Sequence, residues 1–233
     1  MARVAIVTGG SRATGAATAV DLAESGMDIA LLDADEAACA ATVERILGLG
    51  RRCTAVGADL ADEASVDAAV ARVGTVLGDP AVLVNIVSAV HRGPLLRSVE
   101  HDFSTVIGRH LRGAFLVSQA VIDPMAKYGW GRVVTVADVS DVSDVSDAES
   151  LENLTVRDGL AGFTRTAALE LGPLGLTVNL VAPALPVAGL PPAPFKAVAG
   201  PGYATRVAQV VSLLVSEEAA SVSGQVVCIG AAS

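Results

Sequence analysis

A glycine-rich stretch near the start of the chain has the residue types and the spacing that bind an anion. It runs from Thr8 through Gly9 and Gly10 to Gly15, after an apolar run and before an alanine-rich amphipathic segment. A strand, a tight turn and a helix start in this order direct backbone N–H groups and the positive end of the helix dipole toward an anion. The stretch therefore predicts a phosphate-binding loop of the kind that opens a dinucleotide-binding fold.

Two charged residues near this loop indicate which dinucleotide it would hold. Asp33 ends the second predicted strand, where a carboxylate accepts hydrogen bonds from the 2′-hydroxyl of an adenosine ribose and repels a 2′-phosphate. Arg12, inside the loop, is a basic residue of the kind that favours that phosphate. Because a carboxylate at the strand end clashes directly with a phosphate, we expect NAD rather than NADP if the loop binds a cofactor.

Apolar runs alternate with amphipathic helical patterns along the chain, which is typical of a parallel sheet covered on both faces. We therefore predict one α/β domain over residues 1–233, a Rossmann-type doubly wound parallel sheet of about seven strands with helices on both faces. The predicted strands are 3–7, 29–32, 53–56, 81–85, 132–137, 176–181 and 225–229. The predicted helices are 16–25, 35–49, 62–78, 99–128 as one helix or two abutting ones, 151–171 and 204–216.

The composition disfavours several function classes. The 233 residues carry a net charge of −9 and no cluster of Lys and Arg, so a basic face for nucleic acid is absent from the sequence. No apolar run reaches the ~18 residues of a membrane span, and the first strand begins without a signal peptide. Cys39, Cys53 and Cys228 are scattered without metal-ligand spacing, and we expect them to be buried apolar residues. These features predict a cytoplasmic protein without a metal site.

Four stretches of the chain resemble the short-chain dehydrogenase/reductase family, in the subgroup of the β-oxoacyl thioester reductases. They are 4–15, 83–85, 113–117 and 159–183, the last of which reads GLAGFTRTAALELGPLGLTVNLVAP. Their spacing also resembles that of the family. The resemblance implies an oxidoreductase fold with a nicotinamide cofactor, Asp59 lying where the family contacts adenine. It implies that the cofactor is bound by Thr8, Gly9, Arg12, Gly15, Asp33, Asp59 and Asn85.

Three cofactor positions depart from the pattern of this family. Ala13 stands for the middle glycine of the T-G-x-x-x-G-x-G loop, Ser88 for the last glycine of N-N-A-G, and Ala184 for the glycine after Pro183. The methyl group of Ala13 would hold the pyrophosphate further away, and a positive φ there would add about 1–2 kcal/mol of strain. We therefore expect NAD to bind weakly if it binds at all.

The four catalytic positions of the family are all occupied by other residue types. His110 aligns with the asparagine, Asp138 with the serine, Asn153 with the tyrosine and Arg157 with the lysine. In the family the tyrosine exchanges a proton with the substrate oxygen, the lysine lowers its pKa, and the serine polarises the carbonyl. An asparagine amide has no proton that titrates near neutral pH. Losing a general acid costs about 10²–10⁴ in rate, and losing an oxyanion donor about 10²–10³.

These departures favour a protein that keeps the fold and the assembly of the family without its chemistry. Family members associate through the long helices that correspond to 99–128 and 151–171, which are well kept here. Some relatives form mixed oligomers of an intact and a degenerate chain. We expect a structural or regulatory subunit that associates with an intact NAD-dependent hydroxyacyl-thioester or alcohol dehydrogenase subunit.

Two alternatives remain open from the sequence, and with them the question of whether the chain is an enzyme. One is an NAD-dependent oxidoreductase with non-standard site residues. The other is a non-redox isomerase, lyase or cyclase with Asp138 as base, Arg157 as oxyanion support and His110 as acid, where Asn153 shares a helix face with Arg157. Against the second, Asp138 and Arg157 could simply form an ion pair that fills a disused pocket. Asp138 also opens a run of six acids that reads as a solvated loop, 138–152.

Overall fold

The computed structural model describes residues 2–88, 100–138, 151–183 and 202–230, excluding the side chains of 100–102 and 151–153. Seven strands form one sheet in the order β3-β2-β1-β4-β5-β6-β7, and every neighbouring pair is parallel. They are β1 (Val4–Thr8), β2 (Asp28–Asp33), β3 (Cys53–Gly57), β4 (Pro80–Val87), β5 (Gly131–Ala137), β6 (Leu176–Pro183) and β7 (Val226–Ile229). The predicted Rossmann-type sheet is confirmed.

Helices cover both faces of this sheet. The longer ones in the described part of the chain are α1 (Ala13–Glu24), α2 (Ala40–Gly48), α3 (Glu63–Val76), α4 (Glu100–Ile107), α5 (Gly113–Lys127), α6 (Leu151–Leu171) and α7 (Tyr203–Val215). None of them is long and apolar enough to cross a membrane. Alternate residues of the central strands pack on opposite faces, because side chains of a strand point alternately up and down. Ala5 and Val7 contact the cluster with α1 and α7, and Val4 and Ile6 the cluster with α3 and α5.

The order of the strands reverses between β1 and β4. The chain runs outward from β1 to β2 and β3, then crosses back to β4 and continues outward on the other side. The helices that follow the two central strands therefore leave in opposite directions, and a crevice opens between them at the carboxyl ends of the strands. Ligands of doubly wound folds bind at such a crevice.

The segment predicted as one long helix or two abutting ones is two helices joined by a π-helical turn. α4 ends at Ile107, the turn covers Gly108–Arg112, and α5 begins at Gly113. Single π turns within helices frequently mark functional sites. This one carries the candidate residue His110 together with Arg109.

The cysteines are only partly the buried residues that the sequence predicts. Cys39 is buried, Cys53 is half-buried, and Cys228 is exposed on β7, so the prediction is wrong for Cys228. Burial raises the pKa of Cys39 to about 11 and that of Cys53 to about 12. Both thiols are therefore protonated and unreactive at neutral pH. Among the described residues, no group of three His, Cys, Asp or Glu side chains could hold a metal ion.

A buried carboxylate stabilises the sheet at the amino ends of its strands, on the side away from the crevice. Asp28 is 3% exposed and accepts hydrogen bonds from Arg51 Nη2 at 2.6 Å and Arg52 Nε at 2.8 Å. Arg52 also donates to the carbonyl oxygen of Leu77, at the end of α3. Burial alone would raise the pKa of Asp28, but the hydrogen bonds from Arg52 and the positive charges of Arg51 and Arg52 hold it below its ordinary value.

Asp28→Asn is expected to lower the free energy of unfolding by about 2–3 kcal/mol at pH 7, because two guanidinium groups lose their buried counter-charge. The pKa of Asp28 is lower in the folded protein than in the unfolded chain. Its contribution is therefore complete above the unfolded pKa and disappears as the pH falls through the folded pKa. Urea unfolding at pH 7 and pH 3 measures this. The exposed Asp67→Asn is the control, with a change within about 0.5 kcal/mol, and an equal loss in both variants would contradict the prediction.

Candidate functional site

A cleft of about 550 Å³ opens at the carboxyl ends of β1, β2, β3 and β4, beside the crevice where the strand order reverses. This volume is in the range of small-molecule sites. Acidic side chains that follow β2 and β3 line it together with basic side chains of the glycine loop and of the π turn, which itself packs against Leu60 and Ala61 after β3. The lining residues that matter for its chemistry are Gly9, Arg12, Asp33, Asp59, Ser88, Arg109 and His110.

The glycine loop from Thr8 to Gly15 has the tight turn that the sequence predicts. Gly9 has a φ of 67°, which favours glycine, and a Cβ at Gly15 would lie 2.1 Å from the carbonyl oxygen of Gly9. Of the described residues, only glycines have a positive φ, so the strain predicted for a positive φ at Ala13 does not arise. Ala13 begins α1 in helical conformation, and the side chain of Arg12 does not cap the helix. The start of α1 thus remains suited to an anion.

The adenosine end of the cleft is organised around Asp33. Its Oδ2 accepts hydrogen bonds from the backbone N–H of Ser11 at 3.1 Å and from Ser11 Oγ at 2.7 Å, while Oδ1 accepts from the backbone N–H of Asp35 at 3.2 Å. A carboxylate offers about four acceptor positions, so one is left for a ribose hydroxyl. Ser11, which the sequence did not single out, orients this carboxylate.

Asp59 has a role in the loop itself. Its Oδ1 accepts a hydrogen bond from the backbone N–H of Ala61 at 3.0 Å, and its own N–H donates to Ser65 Oγ at 3.0 Å. The side chain is exposed and lines the cleft. Asp59 therefore stabilises the turn after β3 and still presents a carboxylate oxygen to a ligand.

Two residues that the resemblance assigns to cofactor binding have side chains that the fold uses. Thr8 Oγ1 accepts a hydrogen bond from the backbone N–H of Ile86 at 2.9 Å and ties β1 to β4. Asn85 donates from Nδ2 to Ser118 Oγ at 3.3 Å and to the carbonyl oxygen of Ala114 at 3.5 Å. Both residues line the cleft, but their polar side-chain groups form hydrogen bonds within the protein that hold the strands and helices of the cleft wall in place.

Asp138, which the sequence alignment matches to the catalytic serine, is buried and only 3% exposed. Its Oδ1 accepts a hydrogen bond from Thr14 Oγ1 at 2.8 Å, and Thr14 is fully buried. The prediction that Asp138 belongs to a solvated loop is therefore wrong for this residue. The predicted ion pair with Arg157 is also wrong, because Arg157 pairs with Asp158, Nη2 to Oδ1 at 2.8 Å. The carboxylate of Asp138 and the guanidinium of Arg157 therefore each bind a different partner.

Of the three remaining candidate residues, one lies in the cleft, and the side chains of the other two are outside the described part of the structure. His110 lines the cleft on the π turn. The side chain of Asn153 lies outside the described part of the structure, although its backbone belongs to α6. Ala184 lies outside the described residues. The structure therefore brings His110 to the glycine loop and separates Asp138 from Arg157.

The imidazole of His110 is neutral at neutral pH. Burial, with the positive charges of Arg12 and Arg109, lowers the pKa of His110 to about 4. A group with this pKa holds almost no transferable proton at pH 7. The role of an acid, which the non-redox alternative requires of His110, is therefore poorly supported by its surroundings.

Arg109 is the cleft residue that sequence reasoning missed. It lines the cleft beside His110, and within the described part of the chain no carboxylate forms an ion pair with it. The available signal was its position directly before His110, with Arg112 two residues after His110. A guanidinium that faces a cleft without a carboxylate is suited to phosphate.

The residues present fit one half of a nicotinamide dinucleotide. The glycine cradle, Asp33 and Arg109 suit the adenosine and the phosphates. The other half does not fit, because the buried bond between Thr14 and Asp138 joins α1 to the end of β5 where the second nucleotide would have to pass. No reaction step through the nicotinamide follows from this geometry.

A comparison with known protein families decides the family. The model described as short chain dehydrogenase matches residues 3–188. The chain belongs to the short-chain dehydrogenase family. The resemblance carried by the four sequence stretches is thereby confirmed. Short-chain dehydrogenases typically use NAD or NADP, and the cleft lies at the carboxyl ends of the strands, where doubly wound folds bind such cofactors.

Individual short-chain dehydrogenases match over most of the chain. The short-chain dehydrogenase/reductase family member NovK of Streptomyces niveus is 40% identical over 241 residues, covering 99% of this chain and 96% of NovK. The (2S)-[(R)-hydroxy(phenyl)methyl]succinyl-CoA dehydrogenase subunit BbsD of Thauera aromatica is 34% identical over 183 residues, covering 78% of this chain and 73% of BbsD. The acetoin dehydrogenase of Enterobacter cloacae is similar in structure, with a TM-score of 0.82 at 29% identity, covering 99% and 95% of the two chains.

Proposed function

We propose that this short-chain dehydrogenase is a non-catalytic subunit, and that it acts by associating with an intact, NAD-dependent chain of the same family. The observation that carries the proposal is the buried hydrogen bond between Thr14 and Asp138, 2.8 Å long. It ties up the side chain at the position of the catalytic serine. A carboxylate there would also repel the negative charge that develops on a substrate oxygen, where catalysis needs a hydrogen-bond donor.

The other tetrad positions support the same proposal. His110 is held neutral by burial and by two guanidinium groups, and Arg157 is paired with Asp158. An asparagine at 153 can neither donate nor accept a proton in the role of the tyrosine. Catalytic residues that act as a unit do not contribute independently. We therefore expect little hydride transfer from this chain alone.

An apolar face on the two long helices supports association. Phe115 on α5 packs edge-on against Phe163 on α6, with ring centroids 6.3 Å apart, and is itself 45% exposed. Leu169, further along α6, is 80% exposed. Exposed large apolar side chains on neighbouring helices favour burial against a partner. The relative BbsD is named as a subunit of a dehydrogenase of an acyl-CoA compound, which supports a hydroxyacyl-thioester dehydrogenase as the partner.

Co-expression of this chain with the intact family members encoded in the same genome tests the proposal. The tagged chain is expected to retain the partner through size-exclusion chromatography, while the chain alone oxidises hydroxyacyl thioesters with NAD at least about 10⁴-fold more slowly than the complex. Leu169→Glu should release the partner. Leu47→Glu, a matched change on α2 where the side chain is 52% exposed, should retain it. Turnover by the isolated chain at the rate of the complex would disprove the proposal, and so would failure to associate.

A further inference from the structure

The crevice between β1 and β4 is open on one side and bridged on the other. The cleft reaches from the glycine loop toward Asp33 and Asp59, on the side of β2 and β3. On the side of β5, Thr14 and Asp138 are joined across the crevice by their side chains. A dinucleotide places one nucleotide on each side of such a crevice. Here the side of β2 and β3 has room for a nucleotide, while the side of β5 is bridged.

The bridge passes over the end of β4. Thr14 is the second residue of α1, which follows β1, and Asp138 directly follows β5. Because β4 lies between β1 and β5, the hydrogen bond joining them crosses its carboxyl end. The backbone N–H of Asp138 donates to the carbonyl oxygen of Val87, the last residue of β4, at 2.8 Å. A second nucleotide would have to break a buried hydrogen bond and lie against a carboxylate.

The open half carries the groups that an adenosine and its phosphates need. Asp33 keeps acceptor capacity for a ribose hydroxyl after its three hydrogen bonds to Ser11 and Asp35. Arg109, on the π turn, lines the same cleft and has no carboxylate partner among the described residues. A carboxylate and a guanidinium thus line one cleft, where a nucleoside with its phosphates would offer a hydroxyl to the first and a negative charge to the second.

A buried hydroxyl gives a second, independent indication of a ligand. Ser88 lines the cleft and is 5% exposed, and its Oγ has no hydrogen-bond partner within the described part of the chain. A buried hydroxyl without a partner costs free energy. A polar ligand group next to Ser88 would recover that cost.

We propose that this cleft binds an adenine nucleotide that ends at its phosphates, of the ADP class, and that Asp138 excludes nicotinamide dinucleotides from it. The inference rests on the proposed non-catalytic role, since a chain that transferred hydride would need the nicotinamide half. The subunit would then respond to an adenine nucleotide while its partner uses NAD. Arg109 holds the phosphates, and Asp33 holds the ribose.

Isothermal titration of the isolated full chain with ADP, adenosine, inorganic pyrophosphate, NAD and NADH tests the ligand class. ADP is expected to bind at least about tenfold more tightly than each of the other four, because only ADP engages both the carboxylate and the guanidinium without meeting Asp138. NAD bound as tightly as ADP would overturn the inference. If pyrophosphate bound as tightly as ADP, the cleft would not recognise adenosine. If ADP did not bind at about 1 mM, the cleft would not be a nucleotide site.

Two variants test the assigned residues, and a third serves as a control. Arg109→Gln should weaken ADP binding about tenfold and leave adenosine unchanged, because a charge-assisted hydrogen bond is lost. The control Arg45→Gln removes an exposed charge from the last turn of α2 and should leave ADP binding unchanged. Asp138→Ser should raise the affinity for NAD about tenfold and change that for ADP less than twofold. If a folded Asp138→Ser protein kept the same ratio of ADP to NAD affinity, the inference that Asp138 excludes NAD would be wrong. These titrations need no partner, so their failure leaves the proposed non-catalytic role standing.

Discussion

Replacing Gly15 with alanine is expected to lower the free energy of unfolding by about 3 kcal/mol. The new Cβ would lie 2.1 Å from the carbonyl oxygen and 2.8 Å from the carbonyl carbon of Gly9. These are backbone atoms that cannot rotate aside. The Gly9 oxygen accepts the hydrogen bond from the backbone N–H of Arg12 that closes the turn, at 3.1 Å. Relief of the clash therefore breaks the turn and moves the start of α1.

Thermal unfolding measures this change as a fall of about 6–12 °C in Tm for a chain of this size. The matched control is Gly74→Ala near the end of α3, where a Cβ would have nothing within 4 Å. That variant is expected to gain about 0.5–1 kcal/mol, because alanine is a better helix former than glycine. Equal Tm values for the two alanine variants would mean that the loop is not held in the described conformation.

Lowering the pH from 6.5 to 4 is expected to cost about 3 kcal/mol of stability through His110 alone. The folded protein keeps the pKa of His110 at about 4, against 6.5 for a free side chain. Between these pH values the unfolded chain binds a proton that the folded protein does not bind. The free energy of unfolding therefore falls as the pH falls, and the contribution of the neutral imidazole is complete only above pH 6.5.

Comparison with His110→Gln isolates this effect from all other titrations. Urea unfolding of both proteins at pH 7.5, 6, 5 and 4 gives their difference in stability, which should shift by about 3 kcal/mol in favour of the glutamine variant over this range. Arg109→Gln should reduce the shift, because one of the two positive charges that lower the pKa of His110 is removed. Parallel pH profiles would show that the imidazole is hydrated and lies apart from both guanidinium groups.

The class of the fold could be predicted from the sequence, while the ends of its elements could not. Apolar strands that alternate with helical patterns imply a covered parallel sheet, and the seven-stranded parallel sheet confirms it. β4 was predicted to end at Asn85 but extends to Val87, because Ile86 and Val87 pair with Val136 and Ala137 of β5. The partner strand decides where a strand ends, and that strand begins more than 40 residues further along the chain.

In the candidate site, too, the sequence predicted which residues are present but not which partners their side chains bind. Sequence spacing suggested an ion pair between Asp138 and Arg157, since both align with catalytic positions. Arg157 instead pairs with the adjacent Asp158, and Asp138 accepts a hydrogen bond from Thr14, 124 residues away. Alignment places a backbone position near a pocket, but it does not say which of several neighbours a side chain selects.

Family membership, the glycine loop and the residue types at the four positions that align with the catalytic tetrad were accessible to the sequence by itself, because local patterns and residue types carry them. The tertiary structure alone decided that Ala13 adopts helical backbone without strain, that Arg109 lines the cleft, and that Asp138 bridges to Thr14 across β4. Each of these depends on how closely segments that are remote in sequence approach one another. Packing sets that approach, and no pattern within one segment contains it.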